Sequence, residues 1–266
     1  MRLEGCSALV TGASAGIGRE FARQLAGRAD AIVLVARRRD RLDDLRRQLI
    51  QLDPNLKVHV RAADLSKTGQ VAELCEWLEH EKIAIDLLIN NAGLGDSGNF
   101  AASEPSRVEE MILVNVFSLT LLARRLLPSM IARRRGAILN VSSSASFLPM
   151  AQLAVYAATK AYVTSFSEAL RSELRGTGVV VSALCPGPVH TEFTLVARRE
   201  SGRETQTGPE FLHVAVEDVA GAGLAIIERD KALVIPGLAM KAGMTLVRMS
   251  PLWLLRLATR FRKNAR

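Results

Sequence analysis

A chain of 266 residues, 48% hydrophobic and 23% charged, holds one large α/β domain or two small ones and can bury a sizeable core. Its net charge of +8 resides after Asp230, where eight basic residues meet no acidic one, while residues 1–230 carry 27 basic and 27 acidic residues; a nucleic-acid-binding surface spread over the folded body is excluded. Cys6, Cys75 and Cys185 lie far apart without a C-x-x-C, which excludes a disulfide framework and suits the reduced thiols of a cytoplasmic protein.

The chain opens on Met1-Arg-Leu-Glu-Gly with no secretory signal pattern and runs directly into a strand. Apolar runs at 8–10, 31–36, 58–60, 87–89, 137–141 and 179–184 read as buried strands. Helices are expected to begin near Gly18, Arg41, Thr68, Arg107 and Ala154. Continuous apolar strands alternating with helices imply an α/β fold: a doubly wound, Rossmann-type parallel sheet covered on both faces. This single domain is expected over residues 1–230, with a basic C-terminal extension over 231–266. No charge occurs from Gly136 to Thr159, but Asn140, Ser142, Ser143, Ser144, Ser146 and Gln152 make that stretch a buried globular centre rather than a bilayer span.

The first strand ends in Thr11-Gly-Ala-Ser-Ala-Gly-Ile-Gly18 and a helix follows. Such glycines allow a tight turn and close approach to a pyrophosphate, and the helix N-terminus offers unpaired N–H groups. The spacing is G-x-x-x-G-x-G, not the common G-x-G-x-x-G fingerprint. The second strand ends Leu34-Val-Ala-Arg-Arg-Arg-Asp40, with no acid to meet a ribose 2′-hydroxyl. Arg37 and Arg38 instead suit a 2′-phosphate, which favours NADP(H) over NAD(H). Arg41 and Arg46 are expected only to start a solvated helix.

Asp64, Asn91, Gly93, Ser143 and the Pro186-Gly-Pro turn each follow a strand, on the edge where open α/β sheets bind ligands. Tyr156 and Lys160 are four residues apart, so both project from one face of a helix. A fixed ammonium beside a phenol favours the phenolate. None of His59, His80, His190 and His213 shows metal-ligand spacing, so each is expected to stand alone and no metal site is expected. From Thr191 to about Phe211 the strand–helix rhythm breaks, and the polar stretch 198–208 reads as a mobile lid or a solvated loop.

Taken in order, Thr11–Gly18, Asn90-Asn-Ala-Gly93, Asn115, Ser143 and Tyr156-x-x-x-Lys160 resemble the single-domain short-chain dehydrogenases/reductases, over residues 1 to about 230. The resemblance implies that Tyr156 is the acid/base, that Lys160 lowers its pKa and holds the nicotinamide ribose, that Ser143 polarises the substrate carbonyl, and that Asn115 keeps a relay water. It implies that Gly12, Ser14, Gly16, Ile17 and Gly18 meet the phosphates and Arg37 the 2′-phosphate. Asp64 and Leu65 would meet the adenine and Asn91 the ribose side, with Pro186, Gly187, Val189 and Thr191 at the nicotinamide end. The substrate pocket is expected at Leu94, Ala145, Phe147 and Phe193, with Ser146, Leu148, Pro149 and Met150 nearby. That lining is apolar and suits a hydrophobic ketone or secondary alcohol, although Arg198, Arg199 and Arg203 leave a 3-oxoacyl thioester open. A non-enzymatic NADP(H) sensor or scaffold would be expected to have lost Ser, Tyr or Lys, and all are present.

Many tetrameric reductases of this family end in a strand followed by Asp-Gly-Gly. Here Ala232-Leu-Val-Ile-Pro-Gly237 stands in that region, so a homodimer and a homotetramer both stay open. The basic tail bears a loose likeness to hydroxysteroid-dehydrogenase-like members. Trp253, Leu254, Leu257 and Phe261 form an apolar stripe at helical spacing, which fits the protein's own body, a twin subunit or the periphery of an anionic membrane.

Overall fold

The computed structural model describes residues 1–197 and 209–251. Its first half alternates β1 (Cys6–Thr11), α1 (Gly16–Leu25), β2 (Ala29–Ala36), α2 (Arg39–Leu52), β3 (Lys57–Ala62), α3 (Thr68–His80) and β4 (Leu87–Asn90). Next, α4 (Pro105–Ile112) passes through a π-helical turn (Leu113–Ser118) into α5 (Leu119–Ala132). Then come β5 (Gly136–Val141), α6 (Ala154–Glu173), β6 (Val179–Leu184), α7 (Glu192–Ala197), α8 (Val216–Glu228), β7 (Leu233–Val234) and α9 (Leu238–Met249). The sheet is parallel, in the order β3-β2-β1-β4-β5-β6-β7. Strand order reverses between β1 and β4, which opens a crevice at the carboxyl ends of those strands.

The pleat explains the unbroken apolar runs. Ala8 and Val10 of β1, with Ile32 and Leu34 of β2, pack against Phe21 and Leu25 of α1, the leucines of α2, and Leu224 and Ile227 of α8. The residues between them, Leu9, Val33 and Val35, enter the opposite layer with Leu74, Leu122, Leu126 and Leu170. Successive residues of a strand face opposite layers, and here both layers are dry.

Helices α1, α2 and α4 start two residues earlier than the sequence suggests, at Gly16, Arg39 and Pro105. Pro105 opens α4, where a missing N–H costs nothing. The expected boundary at residue 230 falls before β7, whose Leu233 and Val234 extend the same sheet beside β6. Beyond it, Ile235 and Met240 are buried against Ala183 and Cys185, so the extension starts as part of the body. The stripe at 253–261 and the stretch 198–208 lie outside the described residues.

The continuous helix Pro105–Ala132 is long and apolar enough to cross a bilayer. One of its faces is nevertheless committed to the core, through Met111, Leu122, Leu126 and Met130. Its other face leaves Ile112 and Phe117 exposed beside Phe100 and Tyr162. Phe100, Ile112, Val116, Val155, Ala158 and Tyr162 line an open apolar groove of about 420 Å³ between α4 and α6.

Candidate active site

The turn after β1 is built around glycine. Gly12 has a φ of +66°, a left-handed conformation in which a Cβ would also sit 2.8 Å from the Asn91 amide and 2.9 Å from Ala92 Cα. A Cβ on Gly18 would overlap the Gly12 carbonyl, so α1 begins pressed against the turn. Thr11 Oγ1 accepts hydrogen bonds from the backbone N–H groups of Asn91 and Ala92, at 2.9 and 3.0 Å. Asn91 Nδ2 donates to the Thr11 carbonyl at 2.9 Å. These bonds lock the ends of β1 and β4 together across the switch point, and they commit the Asn91 amide nitrogen to the turn.

At the end of β2 three arginines divide their work. Arg37 is exposed and faces Asp64, whose carboxyl burial pushes up; hydrogen bonds from Ser66 and the Arg37 charge outweigh that and hold it below its ordinary value. Asp64 Oδ1 accepts from the Ser66 backbone at 3.0 Å and from its hydroxyl at 2.8 Å. Arg38 donates to Ser14 Oγ at 3.2 Å and to Glu192 Oε2 at 3.0 Å. Arg41 reaches the other oxygen of Glu192 at 2.5 Å. Arg41 therefore does more than start a solvated helix. The Glu192 carboxyl is held low by both guanidinium groups, Arg41 first. Sequence reasoning overlooks Glu192, which sits 154 residues from Arg38 and is acidic in a place where cationic groups would be sought.

The proton-transfer candidates meet at the carboxyl end of β5. Ser143 caps a short 3-10 turn, its Oγ accepting from the Ala145 N–H at 3.1 Å, and it hydrogen-bonds Tyr156. Lys160 is 4% exposed and its ammonium donates to the Val141 carbonyl at 2.8 Å. That nitrogen stands 5.9 Å from the centre of the Tyr156 ring. Burial pushes the lysine down to about 8. Burial also pushes the Tyr156 phenol above its ordinary value, and the Ser143 hydrogen bond opposes that rise without reversing it. The lowering of Tyr156 expected from Lys160 is thus not produced by these side chains alone, because Lys160 turns toward Val141 and desolvation penalises the phenolate.

Asn115 stands in the π-helical turn and is fully buried. Its Oδ1 accepts from the Leu94 N–H at 2.8 Å, and its Nδ2 donates to the Leu94 carbonyl at 2.9 Å and Thr159 Oγ1 at 3.0 Å. A Cβ on Gly93 would lie 3.4 Å from both Asn115 Oδ1 and Lys160 Nζ. The bare glycine therefore keeps a notch open between them.

Of the expected pocket residues, Phe193 tilts over Tyr156 with ring centres 5.6 Å apart. Helix α7, which carries it, is seated on the 95–97 loop: Ser97 N–H donates to the Ala197 carbonyl at 3.0 Å, and Arg107 bonds the carbonyls of Gly95 and Val196 at 2.9 and 3.3 Å. Ala145 is buried, and Phe147 carries Arg248 of α9 at 5.3 Å over its ring. Leu94 instead packs into the core on the side of α5 and α6. Ser142 bonds the Lys160 carbonyl at 2.8 Å and Thr164 at 2.7 Å, so it braces α6 against β5. Thr191 lies against Gly16, its Cβ 3.2 Å from where a Gly16 Cβ would stand. Pro186, Gly187 and Val189 follow β6 on the same edge of the sheet. The glycine turn follows β1, Arg37 follows β2, Asp64 and Leu65 follow β3 and Ser143 follows β5, all at the carboxyl edge of the sheet, with Leu65 buried in the core.

The chain belongs to the short chain dehydrogenase family, which it matches over residues 7–201. It is 34% identical over 221 residues to the very-long-chain 3-oxooacyl-coA reductase let-767 of Caenorhabditis briggsae, covering 81% of this chain and 69% of that one. Among solved structures it superposes on a short-chain dehydrogenase from Sphingobium yanoikuyae in complex with NADPH, with a TM-score of 0.81, 33% identity, and 91% and 92% of the two chains covered. It also resembles the bulky-bulky ketone specific alcohol dehydrogenase from Comamonas testosteroni, with a TM-score of 0.75, 32% identity, and 88% and 86% covered.

Proposed function

We propose that this short-chain dehydrogenase interconverts a hydrophobic ketone and its secondary alcohol with NADP(H). The observation that carries the reading is the Ser143–Tyr156–Lys160 group beneath Phe193, at the same edge of the sheet as the glycine turn and the Arg37–Arg38 corner. The site suits a dinucleotide, because the glycine turn leads into the N-terminus of α1, where unpaired N–H groups meet phosphate, and Arg38 stands beside Ser14. Gly12, Ser14, Gly16, Ile17 and Gly18 would hold the phosphates, with Arg37 on the 2′-phosphate. Asp64 and Leu65 would flank the adenine and Asn91 the ribose. Pro186, Gly187, Val189 and Thr191 would close the nicotinamide end.

The bound cofactor supplies or takes the hydride. The Ser143 hydroxyl donates to the carbonyl oxygen and fixes it near Tyr156. In reduction, the Tyr156 phenol gives its proton to that oxygen as negative charge builds there; in oxidation, the phenolate takes it back. Burial pushes the phenol above its ordinary value and so disfavours the phenolate. Lys160, one helical turn away, would bring positive charge toward the phenolate and would hold the nicotinamide ribose. Asn115 holds the 93–94 backbone that borders the notch. Phe193 shields the oxygen from bulk water.

A 3-oxoacyl thioester is the second reading, favoured by the 34% identity to the reductase from Caenorhabditis briggsae. A panel of bulky ketones, hydroxysteroids and 3-oxoacyl thioesters, followed by NADPH absorbance, separates the readings. Turnover of none of them by NADPH or NADH would remove the enzymatic proposal.

Self-association would use the apolar α4–α6 groove around Phe100, Ile112 and Tyr162. The three buried free thiols fit a reducing, cytoplasmic setting. Peripheral membrane contact would rest on the stripe at 253–261, and flotation with anionic vesicles, with and without residues 249–266, decides it.

A further inference from the structure

The histidines at 190 and 213 do not stand alone. His190 follows the turn after β6, and His213 follows a 3-10 turn at Glu210–Leu212. In a 3-10 turn residues three apart eclipse one another, so Glu210 and His213 face the same side. The His213 N–H donates to the Glu210 carbonyl at 2.9 Å, and the Val214 N–H donates to the Pro188 carbonyl at 3.4 Å. This pairing brings the second segment alongside the first. His190 Nε2 lies 3.1 Å from Glu210 Oε1, and the imidazoles of His190 and His213 stack with centres 4.1 Å apart. One donor atom from each of the three residues lies within 4.8 Å of the other two.

We propose that His190, Glu210 and His213 form a binding site for a divalent transition metal of the zinc class. Two imidazoles and one carboxylate are a borderline nitrogen and oxygen set, suited to Zn²⁺ and poorly suited to Mg²⁺ or Ca²⁺, which demand oxygen ligands. Tetrahedral zinc with bonds of about 2.0–2.1 Å needs donors roughly 3.4 Å apart. His190 and Glu210 already meet that spacing at 3.1 Å, and both side chains are exposed enough to adjust. Three protein ligands leave one position for water. The site joins the segment that leads into α7, whose Phe193 lies over Tyr156, to the segment at 210–213. It lies outside the proton-transfer group and does not depend on the proposed reaction.

The test is isothermal titration of the untagged full chain, after EDTA treatment and dialysis, with ZnCl₂ and separately with MgCl₂. The expected result is one Zn²⁺ per chain, a saturable rise in Tm, and no response to Mg²⁺. His190→Ala and His213→Ala should each weaken Zn²⁺ by about 100-fold or more, while His80→Ala, on the surface elsewhere, should bind like the wild type. Should an alanine variant unfold, His190→Gln, which keeps a hydrogen-bond donor toward Glu210, should show the same loss. Wild-type zinc affinity in His190→Gln or in the folded alanine variants would overturn the site, as would a wild type that takes up no zinc.

Discussion

Arg38 and Glu192 form an ion pair at 3.0 Å that ties the end of β2 to the start of α7, and Arg41 grips the second carboxylate oxygen. The carboxylate engages the guanidinium beside Ser14, where the charge of a 2′-phosphate would also settle. Exposed pairs of this kind contribute about 0.2–1 kcal/mol each. Release of Arg38 by Glu192→Gln should therefore tighten NADPH by roughly 1.4- to 5-fold and leave NADH unchanged. Fluorescence titration of both nucleotides checks this. Equal changes for the two would show that Glu192 acts on α7 rather than on the phosphate corner.

Arg37→Ala should weaken NADPH far more than NADH. A charge-assisted contact is worth about 1.5–3 kcal/mol, which corresponds to roughly 10- to 150-fold. The same titration measures it. Parallel losses would remove the 2′-phosphate assignment.

Tyr156→Phe should lower turnover by about 10²–10⁴-fold, the usual contribution of a positioned acid/base. NADPH affinity should stay within a few-fold, because the ring and its contact with Phe193 at 5.6 Å are kept. Single-turnover rates and nucleotide titration separate the two effects. Near-wild-type turnover would dismiss Tyr156 as the proton donor.

Lys160 titrates near 10.5 in the unfolded chain and near 8 in the fold, because burial penalises its charge. Between those values the unfolded state binds the extra proton, so this residue makes stability rise with pH from about 8 to 10.5. Below pH 8 the fold carries the full cost, about 3 kcal/mol. Lys160→Met removes the cost but strands the Val141 carbonyl. The variant's stability relative to wild type should therefore fall by about 3 kcal/mol as pH rises across that window. Urea midpoints at pH 7 to 10.5 report it, and a constant difference would contradict the depressed lysine. The cysteines held near 11 also titrate late, but they are common to both proteins and largely cancel.

Ile112→Lys combined with Phe100→Lys should yield a monomer if the α4–α6 groove is the self-association surface. Both side chains are exposed, at 44% and 63%, so the monomer's own fold should lose little. Light scattering after gel filtration gives the mass. An unchanged oligomer would move the interface elsewhere.

The sheet is legible in the sequence wherever a strand is buried on both faces, because then every residue in the run is apolar. Strand β7 escapes that reading: it has two half-buried residues, Leu233 and Val234, and Pro236 soon follows. The glycine turn and the Tyr156–Lys160 pair are legible as arrangements because each rests on local spacing. Glu192 with Arg38 and Arg41, and His190 with Glu210 and His213, are not legible, since each set joins segments whose approach is decided by packing. The direction of the Tyr156 shift is hidden for a related reason. Helical spacing shows that Lys160 is a neighbour, but not that its ammonium donates to Val141.

The π-helical turn at Leu113–Ser118 makes the register of this helix matter far from Asn115. Such a turn holds one residue more than an α-helical turn. The bulge takes up that one residue locally, so inserting a further residue within it would rotate α4 against α5 by about 100°. Arg107, which clamps Gly95 and Val196, would swing away with α4. The cover over Tyr156 would then lose its hinge pin, although no proton-transfer residue had changed. Insertion into this short stretch should be tolerated far less than substitution at its exposed positions.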